Sequence, residues 1–375
     1  MKIVCIAASI IPSKTANSIQ VMKVADAMAV LGHQVILCVP GEKDVPWAGL
    51  NKHYGLQSTF EIQWIPENQA FKRYDFALKA VRSAKRMKPD LVYTWMIQSA
   101  VIALWHKLPT VLEMHDRVTG RFGPWLFRQF WRARTQKRLL TITQALKQVL
   151  TSDFQLPRDL SDQILVAPDG VDLDRYQGLS DPAEHRQQLN LESKFTAGYT
   201  GHFYEGRGID LMFRLAKNLP DINFLWVGGD PGDVSRWRDR IKSEQVENIT
   251  LTGFVDNAIL PKYQAACDVL LMPYSSQIAG SSGGNTAQIA SPMKMFEYMA
   301  AGRPIISSDL LVIHEVLNNQ TAIFCAPDDL NDWQNALMSL HAEPVIRKRL
   351  SENARAAVTA YTWQARMQKA LENFL

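Results

Sequence analysis

The chain has 375 residues, of which 47% are hydrophobic and 21% charged, and its formal net charge is +4. This length predicts two domains, and the composition excludes a disordered chain and, since no apolar run reaches spanning length, a transmembrane one. Four cysteines without paired spacing exclude a disulfide framework or a zinc site. The short apolar run at the amino terminus resembles a first strand more than a signal peptide, which predicts a cytoplasmic protein.

The charge is unevenly divided between the two halves. Residues 1–178 hold 23 Lys and Arg against 15 Asp and Glu, a net +8, whereas residues 179–375 hold 18 against 22, a net −4. An anionic partner is therefore expected to meet the first half.

The first half alternates strands with helices. Strands are predicted at KIVCIAASI, HQVILCVP, DLVYTW and TVLEMH, and this alternation predicts a parallel sheet. No GxGxxG follows the first strand, so a nicotinamide or flavin site is not indicated. The loop after that strand is polar at the edge where ligands bind in parallel sheets, although helix capping would also explain its residues Lys14, Thr15, Asn17 and Ser18.

The strand TVLEMHD brings polar residues to the same edge of the sheet. Glu113 and His115 lie on one face of it, and Asp116 lies just beyond. A histidine there can hydrogen-bond a sugar or carry a proton. Ordinary solvated side chains at a strand end are the alternative.

The segment 117–138 has the most unusual composition of the chain. Seven basic and five aromatic residues alternate in it, and it contains no acid. This pattern is typical of a helix on an anionic membrane surface; nucleic acid would accept it too, and a helix with its aromatics in the core and its arginines in water is the third reading. The residues assigned to a membrane or an anionic acceptor are Arg121, Trp125, Arg128, Trp131, Arg132 and Arg134.

The composition turns polar after Gly178, and the alternation of strands and helices restarts at KFTAGYTG. We therefore predict a first domain over 1–178, a second over 179–358, and a terminal helix over 359–375 that packs back on the first domain.

The stretch SPMKMFEYMAAGRPII predicts a helix built to hold an anion. Ser291 is a good N-cap and Pro292 a good first helical residue, and the free N–H groups of the first turn together with Lys294 form an anion site. Glu297 can accept hydrogen bonds from sugar hydroxyls one turn later. That combination suits a nucleotide diphosphate, with an ordinary crossover helix as the alternative.

Two loops flank this helix in the predicted second domain. Arg207 lies between two glycines after a strand, where it can reach phosphate. The Gly- and Ser-rich stretch 275–290 leads directly into the helix, and its length predicts a binding loop or a lid.

Three motifs in this order, PDGVD, GYTGHFYEGRG and SPMKMFEYMAAGRPIISSD, resemble the GT-B glycosyltransferases of the retaining family 4 type, including bacterial members that build cell-surface polysaccharides. The resemblance covers essentially the whole chain. It implies an α/β fold of two doubly wound Rossmann-like domains whose parallel sheets face a central cleft.

The resemblance also implies a reaction. A sugar would pass from a nucleoside diphosphate sugar, UDP- or GDP-linked, to a glycan or lipid-linked acceptor, with retention, without a metal or a cofactor and without nucleic acid as a partner. The protein would be cytoplasmic and peripheral on the inner face of the membrane. A nucleotide-sugar epimerase on the same fold and a catalytically silent, membrane-bound assembly subunit remain as alternatives.

Residue roles follow from the resemblance by position. Glu297 would hold the donor ribose, Arg207 the phosphate, and His115 would lie near the transferred sugar. The implied donor-binding set is Gly201, His202, Arg207, Phe254, Val255, Ser291, Pro292, Met293, Lys294 and Glu297, and the implied catalytic set is His115, Asp116, Arg207 and Lys294.

The chain departs from the family pattern at three places. Ile289 stands where many members carry a first glutamate that contacts the donor sugar, so this contact is absent or supplied by the 275–290 loop. His202 replaces a basic residue that follows the glycine, which weakens that phosphate contact or makes it pH-dependent. The run from Thr15 to Ser18 replaces a glycine pair in the first loop.

Overall fold

The computed structural model describes residues 1–42, 45–68, 73–179, 181–278 and 285–374. They form two compact units, one of Met1–Asp169 with Trp363–Leu375 and one of Gly170–Thr362. The division falls earlier than the 178/179 boundary read from composition, because Val171 N–H donates to the Tyr361 carbonyl (3.0 Å) and ties this stretch to the second unit.

Every strand pair of the first unit is parallel, and the described strands are ordered β3-β2-β1-β4-β5-β6-β7. The central strand β1 is buried on both faces, which is why it is a continuous apolar run rather than an alternating one. The strands are β1 Lys2–Ile6, β2 Gln34–Pro40, β3 Glu61–Ile65, β4 Leu91–Thr94, β5 Thr110–Met114, β6 Lys137–Thr141 and β7 Ile164–Val166.

Helices cover the sheet of the first unit and bury a stripe of apolar residues against it. The third of them, for example, turns Phe76, Ala80 and Ala84 toward β1 and β4. The helices are α1 Ala16–Val30, α2 Trp47–Tyr54, α3 Tyr74–Met87, α4 Ile97–Trp105, α5 Gly123–Arg132, α6 Gln144–Phe154 and α7 Arg158–Asp162, and the helix at the end of the chain, α15 Trp363–Leu371, joins them. This last helix begins later than the predicted 359, because Val358–Ala360 is a 3-10 turn of the second unit.

The second unit repeats the plan with a sheet whose described strands are ordered β10-β9-β8-β11-β12-β13, again all parallel. Its core includes the large rings of Trp226 and Trp333. The strands are β8 Thr196–Gly201, β9 Asn223–Gly228, β10 Ile249–Gly253, β11 Val269–Met272, β12 Ile305–Ser308 and β13 Ala322–Cys325; the helices are α8 Pro182–Gln188, α9 Ile209–Asn218, α10 Pro231–Ser243, α11 Leu260–Ala265, α12 Met293–Ala301, α13 Leu330–Ala342 and α14 Pro344–Ala357.

The prediction of two doubly wound units with parallel sheets is confirmed. Between β12 and β13, Ile313–Glu315 forms a single 3-10 turn. Among the described residues, no helix combines the length and the apolarity that crossing a membrane requires.

Candidate functional site

The helix α12 begins one residue later than the sequence predicts. Met293 is its first helical residue and Pro292 takes the N-cap position with extended backbone, so Ser291 precedes the cap instead of forming it. The reason is that Pro292 itself adopts ψ 118°, outside the helical region. The helix ends as predicted at Gly302, which adopts the left-handed conformation at φ 62°.

Lys294 is the most unusual side chain of this region. Its ammonium lies 3.7 Å from the ring centre of Tyr199 and 5.6 Å from that of Tyr274. The residue as a whole is half-buried, but its ammonium nitrogen is buried and has no hydrogen-bond acceptor in the described part of the chain. Burial, reinforced by the charge of Arg207 and opposed by that of Glu297, holds the pKa of Lys294 well below its ordinary value.

Gly201 and Arg207 lie beside this ammonium. Gly201, the last residue of β8, has φ 139°, and a Cβ atom there would come within 2.8 Å of the Lys294 Nζ. A side chain at this position would force the lysine to shift, and its backbone conformation is one that residues other than glycine rarely adopt. The Arg207 guanidinium lies 5.2 Å from the Tyr274 ring centre, so two cations share one aromatic ring.

His202 follows Gly201 and stacks on Tyr204, with ring centres 4.7 Å apart and planes 3° from parallel. Its carbonyl accepts a hydrogen bond from the Tyr199 hydroxyl (2.7 Å). Phe254 and Val255 are half-buried directly after β10, at the same carboxyl edge of the sheet as Gly201.

Glu297 is held by Gln264, a residue that no sequence pattern singled out. The Gln264 amide donates to Glu297 Oε2 (3.0 Å) and to Thr200 Oγ1 (3.3 Å). Its carbonyl accepts from the Tyr176 hydroxyl (2.8 Å), and Gln264 is fully buried. Because both ends of the amide are bonded, its orientation is fixed and one oxygen of Glu297 is held in place.

Ile289, at the position where a glutamate was missing, is buried at 1% exposure and packs as an apolar residue. Residues 279–284 of the predicted binding loop lie outside the described residues. In the described remainder, Asn285 Oδ1 accepts from the N–H groups of Ile278 (2.9 Å) and Ala287 (3.0 Å), which ties the two ends of the loop together.

In the first unit, His115 belongs to a buried polar cluster centred on Glu113. The His115 Nε2 lies 2.6 Å from Glu113 Oε1, and because a carboxylate only accepts, Nε2 is the donor. The Arg366 guanidinium of α15 donates hydrogen bonds to both oxygens of Glu113, at 2.6 Å to Oε1 and 3.1 Å to Oε2. The amide of Gln20 (2.6 Å) and the hydroxyl of Tyr93 also donate to this carboxylate.

Asp169, from the PDGVD motif, completes the cluster. Burial, opposed by the charges of His115 and Arg366, raises the pKa of Asp169 to about 6. Burial alone would lower the pKa of His115, but its hydrogen bond to Glu113 and the charges of Glu113 and Asp169 prevail and raise it. A half-buried histidine with a raised pKa and a buried aspartic acid with a raised pKa thus face one another.

One ligating atom from each of Glu113, His115 and Asp169 lies within 4.8 Å of the others. Such a set could in principle hold a metal ion. Here the Arg366 cation occupies both oxygens of Glu113, and a divalent cation at the same carboxylate would be repelled by it. The cluster has the chemistry of a proton-carrying network.

Asp116 lies in the turn that follows β5. Its Oδ1 accepts from the N–H of the next residue, Arg117 (2.7 Å), so it organises the turn after β5. The predicted catalytic set contained His115 and Asp116 but not Asp169 or Arg366, whose charges face His115. The strand alternation pointed to Glu113, whereas nothing local points to Arg366.

The first loop serves partly to start α1. Thr15 accepts from Ser18 N–H (3.3 Å) as the N-cap, and Ser18 is buried and donates to the Ser13 carbonyl (3.1 Å). The Ser18 hydroxyl is enclosed by the loop and Tyr54, which favours the helix-capping alternative for this residue. Lys14 and Asn17 are exposed, and Asn17 Oδ1 accepts from the Ser9 hydroxyl.

The basic and aromatic segment divides between core and surface. Phe127 and Phe130 are fully buried, and Trp131 packs on both of their rings. Phe122 and Trp125 are instead about half exposed (53% and 49%). The core interpretation thus holds for one face of α5 and the surface interpretation for the other.

The structure adds two aromatic residues to that surface from neighbouring helices. Trp105 at the end of α4 is 57% exposed and meets Trp125 edge-on at 6.1 Å between ring centres. Tyr74 at the start of α3 meets Phe122 in the same manner at 6.4 Å. We call Tyr74, Trp105, Phe122 and Trp125 the aromatic patch.

Exposed cations surround the aromatic patch in the first unit. They are Arg121, Arg128, Arg132 and Arg134 of the segment itself, and Lys107 next to Trp105. Arg121 lies over the Phe122 ring at 5.7 Å. Exposed aromatic rings flanked by arginines are what an anionic lipid surface binds best.

Family models match the chain over two ranges. The model of "Glycosyltransferase Family 4" matches residues 18–175, and that of "Glycosyl transferases group 1" matches residues 194–343. The first match falls mainly on the first structural unit and the second falls within the second unit, and together they cover most of the chain.

Curated relatives and solved structures point the same way. The chain is similar to glycogen synthase of Mycobacterium tuberculosis (24% identical, 79% of this chain and 70% of that protein). It is similar to phosphatidyl-myo-inositol mannosyltransferase of the same organism (23% identical, 92% and 88%). In fold it is similar to Anabaena HepE in complex with UDP-glucose (TM-score 0.73, 17% identical, 99% and 98% covered) and to WaaG, a glycosyltransferase of lipopolysaccharide biosynthesis (TM-score 0.67, 16% identical, 98% and 98%).

Proposed function

The chain belongs to the group 1, family 4 glycosyltransferases, a retaining and metal-independent class of GT-B enzymes that transfer hexoses from nucleotide sugars, and we propose that it moves a hexose from a UDP- or GDP-linked donor to a glycan or lipid-linked acceptor. The second unit binds the donor through α12 and the loop at Arg207. The first unit supplies His115 for the transferred sugar.

The observation that carries the donor assignment is the buried ammonium of Lys294. A buried cation with no hydrogen-bond acceptor in the described part of the chain is costly to keep, unless an anion arrives to meet it. Arg207 shares the Tyr274 ring with it, and the first-turn N–H groups of α12 are nearby. Two cations and a helix N-terminus suit the two phosphates of a nucleoside diphosphate.

The same groups explain how the reaction would be driven. As the glycosidic bond of the donor breaks, negative charge builds on the β-phosphate, and Lys294 and Arg207 stabilise this charge in a site with little water. Glu297, oriented by Gln264, holds the ribose. The nucleophile is the acceptor hydroxyl, so no covalent enzyme intermediate is required.

The proposal is tested by thermal shift with UDP, GDP and their hexose derivatives, using UMP as the matched control that lacks the second phosphate. A nucleotide at about 100 times its Kd should stabilise the protein by about 2.7 kcal/mol, and UMP should do so much less at the same concentration. Equal stabilisation by UMP and UDP, or none by any nucleotide, would contradict a diphosphate site.

Incubation with the stabilising nucleotide sugar then separates the enzyme classes. A transferase leaves the donor sugar unchanged in configuration until acceptor is added, and the product keeps the anomeric configuration of the donor. Epimerised nucleotide sugar in the absence of acceptor would show an epimerase. Nucleotide binding without transfer to any glycan or lipid acceptor would favour a silent assembly subunit.

We further propose that the acceptor side works at an anionic membrane surface, which the aromatic patch and its surrounding arginines bind. The relative named for phosphatidyl-myo-inositol makes a lipid acceptor one of two classes to test, beside a glycan. The patch supports membrane binding because four exposed rings from three helices converge there, with basic side chains around them.

Vesicle sedimentation tests this part of the proposal. The protein should bind phosphatidylcholine vesicles that contain phosphatidylglycerol, and added salt should weaken the binding. Replacing both Trp105 and Trp125 with Ala, or Arg128, Arg132 and Arg134 with Glu, should abolish it. Leu311→Ala, at a fully exposed apolar residue of the second unit, is the matched control and should bind like the parent. Equal binding to pure phosphatidylcholine, or no binding at all, would overturn the proposal.

A further inference from the structure

The end of the chain contributes a charged residue to the cluster around His115. Arg366 lies on α15, yet it is only 6% exposed, and its guanidinium meets Glu113, a residue 253 positions earlier in the chain. It donates to Glu113 Oε1 (2.6 Å) and Oε2 (3.1 Å) and to the carbonyls of Ala167 (3.1 Å) and Pro168 (2.9 Å).

These bonds fix Glu113, and Glu113 in turn fixes His115. A carboxylate held by a bidentate arginine cannot rotate or take up a proton without losing a charge-assisted bond. Its Oε1 is then a permanent acceptor for the His115 Nε2 at 2.6 Å. The hydrogen on Nε2 is therefore fixed, and Nδ1 is the nitrogen left to gain or lose a proton.

The charges that face His115 come from three other places in the fold. They are Glu113 beside it on β5, Asp169 after β7 and Arg366 on α15, while the neutral Gln20 and Tyr93 complete the shell around Glu113. Arg366 and Glu113 cancel one another, so the remaining balance lies between His115 and Asp169. The charges of His115 and Asp169 favour one another, so the titration of each group depends on the protonation state of the other.

We propose that Arg366 is a positioning residue for the proposed sugar-side histidine: acting through Glu113, it selects the tautomer of His115 and, with Asp169, sets the pH at which His115 gains its second proton. This inference rests on the proposed function only for the role of His115 in transfer. The C-terminal helix is thereby part of the site of the first unit rather than a mere cover for its sheet.

The test follows the titration of His115 by NMR of protein labelled at the histidine 13Cε1 positions, with the His115 signal identified by its loss in His115→Asn. Arg366 is a cation facing His115, and removing it favours the protonated ring. Arg366→Met should therefore move the titration midpoint of His115 to higher pH by about one unit. Arg366→Lys, which keeps the charge but makes a single-point contact, should move it less.

Arg138→Met is the matched control. Arg138 also contacts α15, through the carbonyls of Ala370 (2.7 Å) and Glu372 (2.9 Å), but it does not contact Glu113 or His115. It should leave the His115 midpoint unchanged. If it moved the midpoint as much as Arg366→Met does, the arginine would act only by docking the helix, and the inference would be overturned.

Kinetics supply the second readout. The pH profile of kcat should shift to higher pH in Arg366→Lys, and KM for the donor should stay constant because the donor residues lie in the other unit. If Arg366→Met does not fold, the Lys variant carries both measurements. A loss of kcat by the same factor at every pH, with the His115 midpoint unmoved, would overturn the inference. The NMR shift does not depend on transfer, so it would still appear if the proposed function failed.

Discussion

Each of the two units buries a cationic group, but only the cation of the first unit is paired with a carboxylate. In the first unit, both oxygens of Glu113 meet the Arg366 guanidinium. In the second, the Lys294 ammonium is buried against Tyr199 without a hydrogen-bond acceptor in the described residues. The first arrangement is complete without a ligand and can position a neighbour, whereas the second is completed only by an anion. A buried cation thus indicates a binding site when its partner is missing and a positioning device when it is present.

The largest expected effect comes from breaking the complete pair. Glu113→Gln leaves the Arg366 cation buried without a counter-charge, which should lower the free energy of unfolding by about 3–5 kcal/mol. Urea denaturation measures it. Arg158→Gln removes an ion pair in which both side chains are largely exposed, at 96% and 70%, and should leave stability unchanged. Equal effects of the two variants would contradict the buried role of Glu113.

The opposite outcome is expected for Lys294. Lys294→Met removes a buried charge that has no hydrogen-bond acceptor in the described residues. The lowered pKa shows that the Tyr199 ring and Glu297 offset its burial only in part, so the melting temperature should rise. At the same time kcat/KM should fall by roughly 10²–10³, as for other groups that stabilise transition-state charge. Lys23 is a buried lysine whose Nζ donates to the Gly55 carbonyl (2.7 Å), and Lys23→Met should instead lower the melting temperature. A melting temperature that falls in Lys294→Met would remove the contrast between the two units.

Asp169 makes the stability of the first unit depend on pH. Its pKa is about 6 in the folded chain and near 3.8 in the unfolded one, so folding favours the protonated acid. Its stabilising contribution is fully present below about pH 4 and is lost as the pH rises through 6. Asp169→Asn should therefore stabilise by up to about 3 kcal/mol at pH 8 and by nothing at pH 4. A gain that is equal at both pH values would contradict the raised pKa.

The smallest effect concerns the orientation of Glu297. Gln264→Met removes the amide that holds one oxygen of this carboxylate, which should cost about 1 kcal/mol and raise KM for the donor several-fold while kcat changes little. Tyr176→Phe, which removes only the hydroxyl bonded to Gln264, should have a smaller effect in the same direction. A fall in kcat without a change in KM would place Gln264 elsewhere in the reaction.

The sequence predicted features that depend on local pattern. Continuous apolar runs predicted buried parallel strands. The alternation of side chains along β5 predicted that Glu113 and His115 lie on one face of the sheet, and the two side chains are in contact. Proline before and glycine after α12 marked that helix to within one residue. The family motifs assigned the donor residues by position, and the structure brings Gly201, Arg207 and Lys294 together.

Features that depend on distant packing could not be predicted. Arg366 lies on an ordinary amphipathic helix, and only the fold reveals that it reaches Glu113. Gln264 is a single polar residue in a helix, and Trp105 joins Trp125 only because α4 and α5 are neighbours. The split of segment 117–138 between core and surface has the same cause, since composition does not say which face of a helix meets the sheet.

Calorimetric titration of UDP and GDP at pH 9, in two buffers of different ionisation enthalpy, tests the central claim most directly. At this pH neither histidine nor the nucleotide phosphates exchange protons. Burial lowers the pKa of Lys294, and the negative charge of a bound diphosphate would raise it again, so binding is expected to be coupled to proton uptake by Lys294. We expect net proton uptake when the parent protein binds the nucleotide. In Lys294→Met we expect weaker binding and no proton uptake. Equal affinity and equal proton uptake in the two proteins would contradict the account.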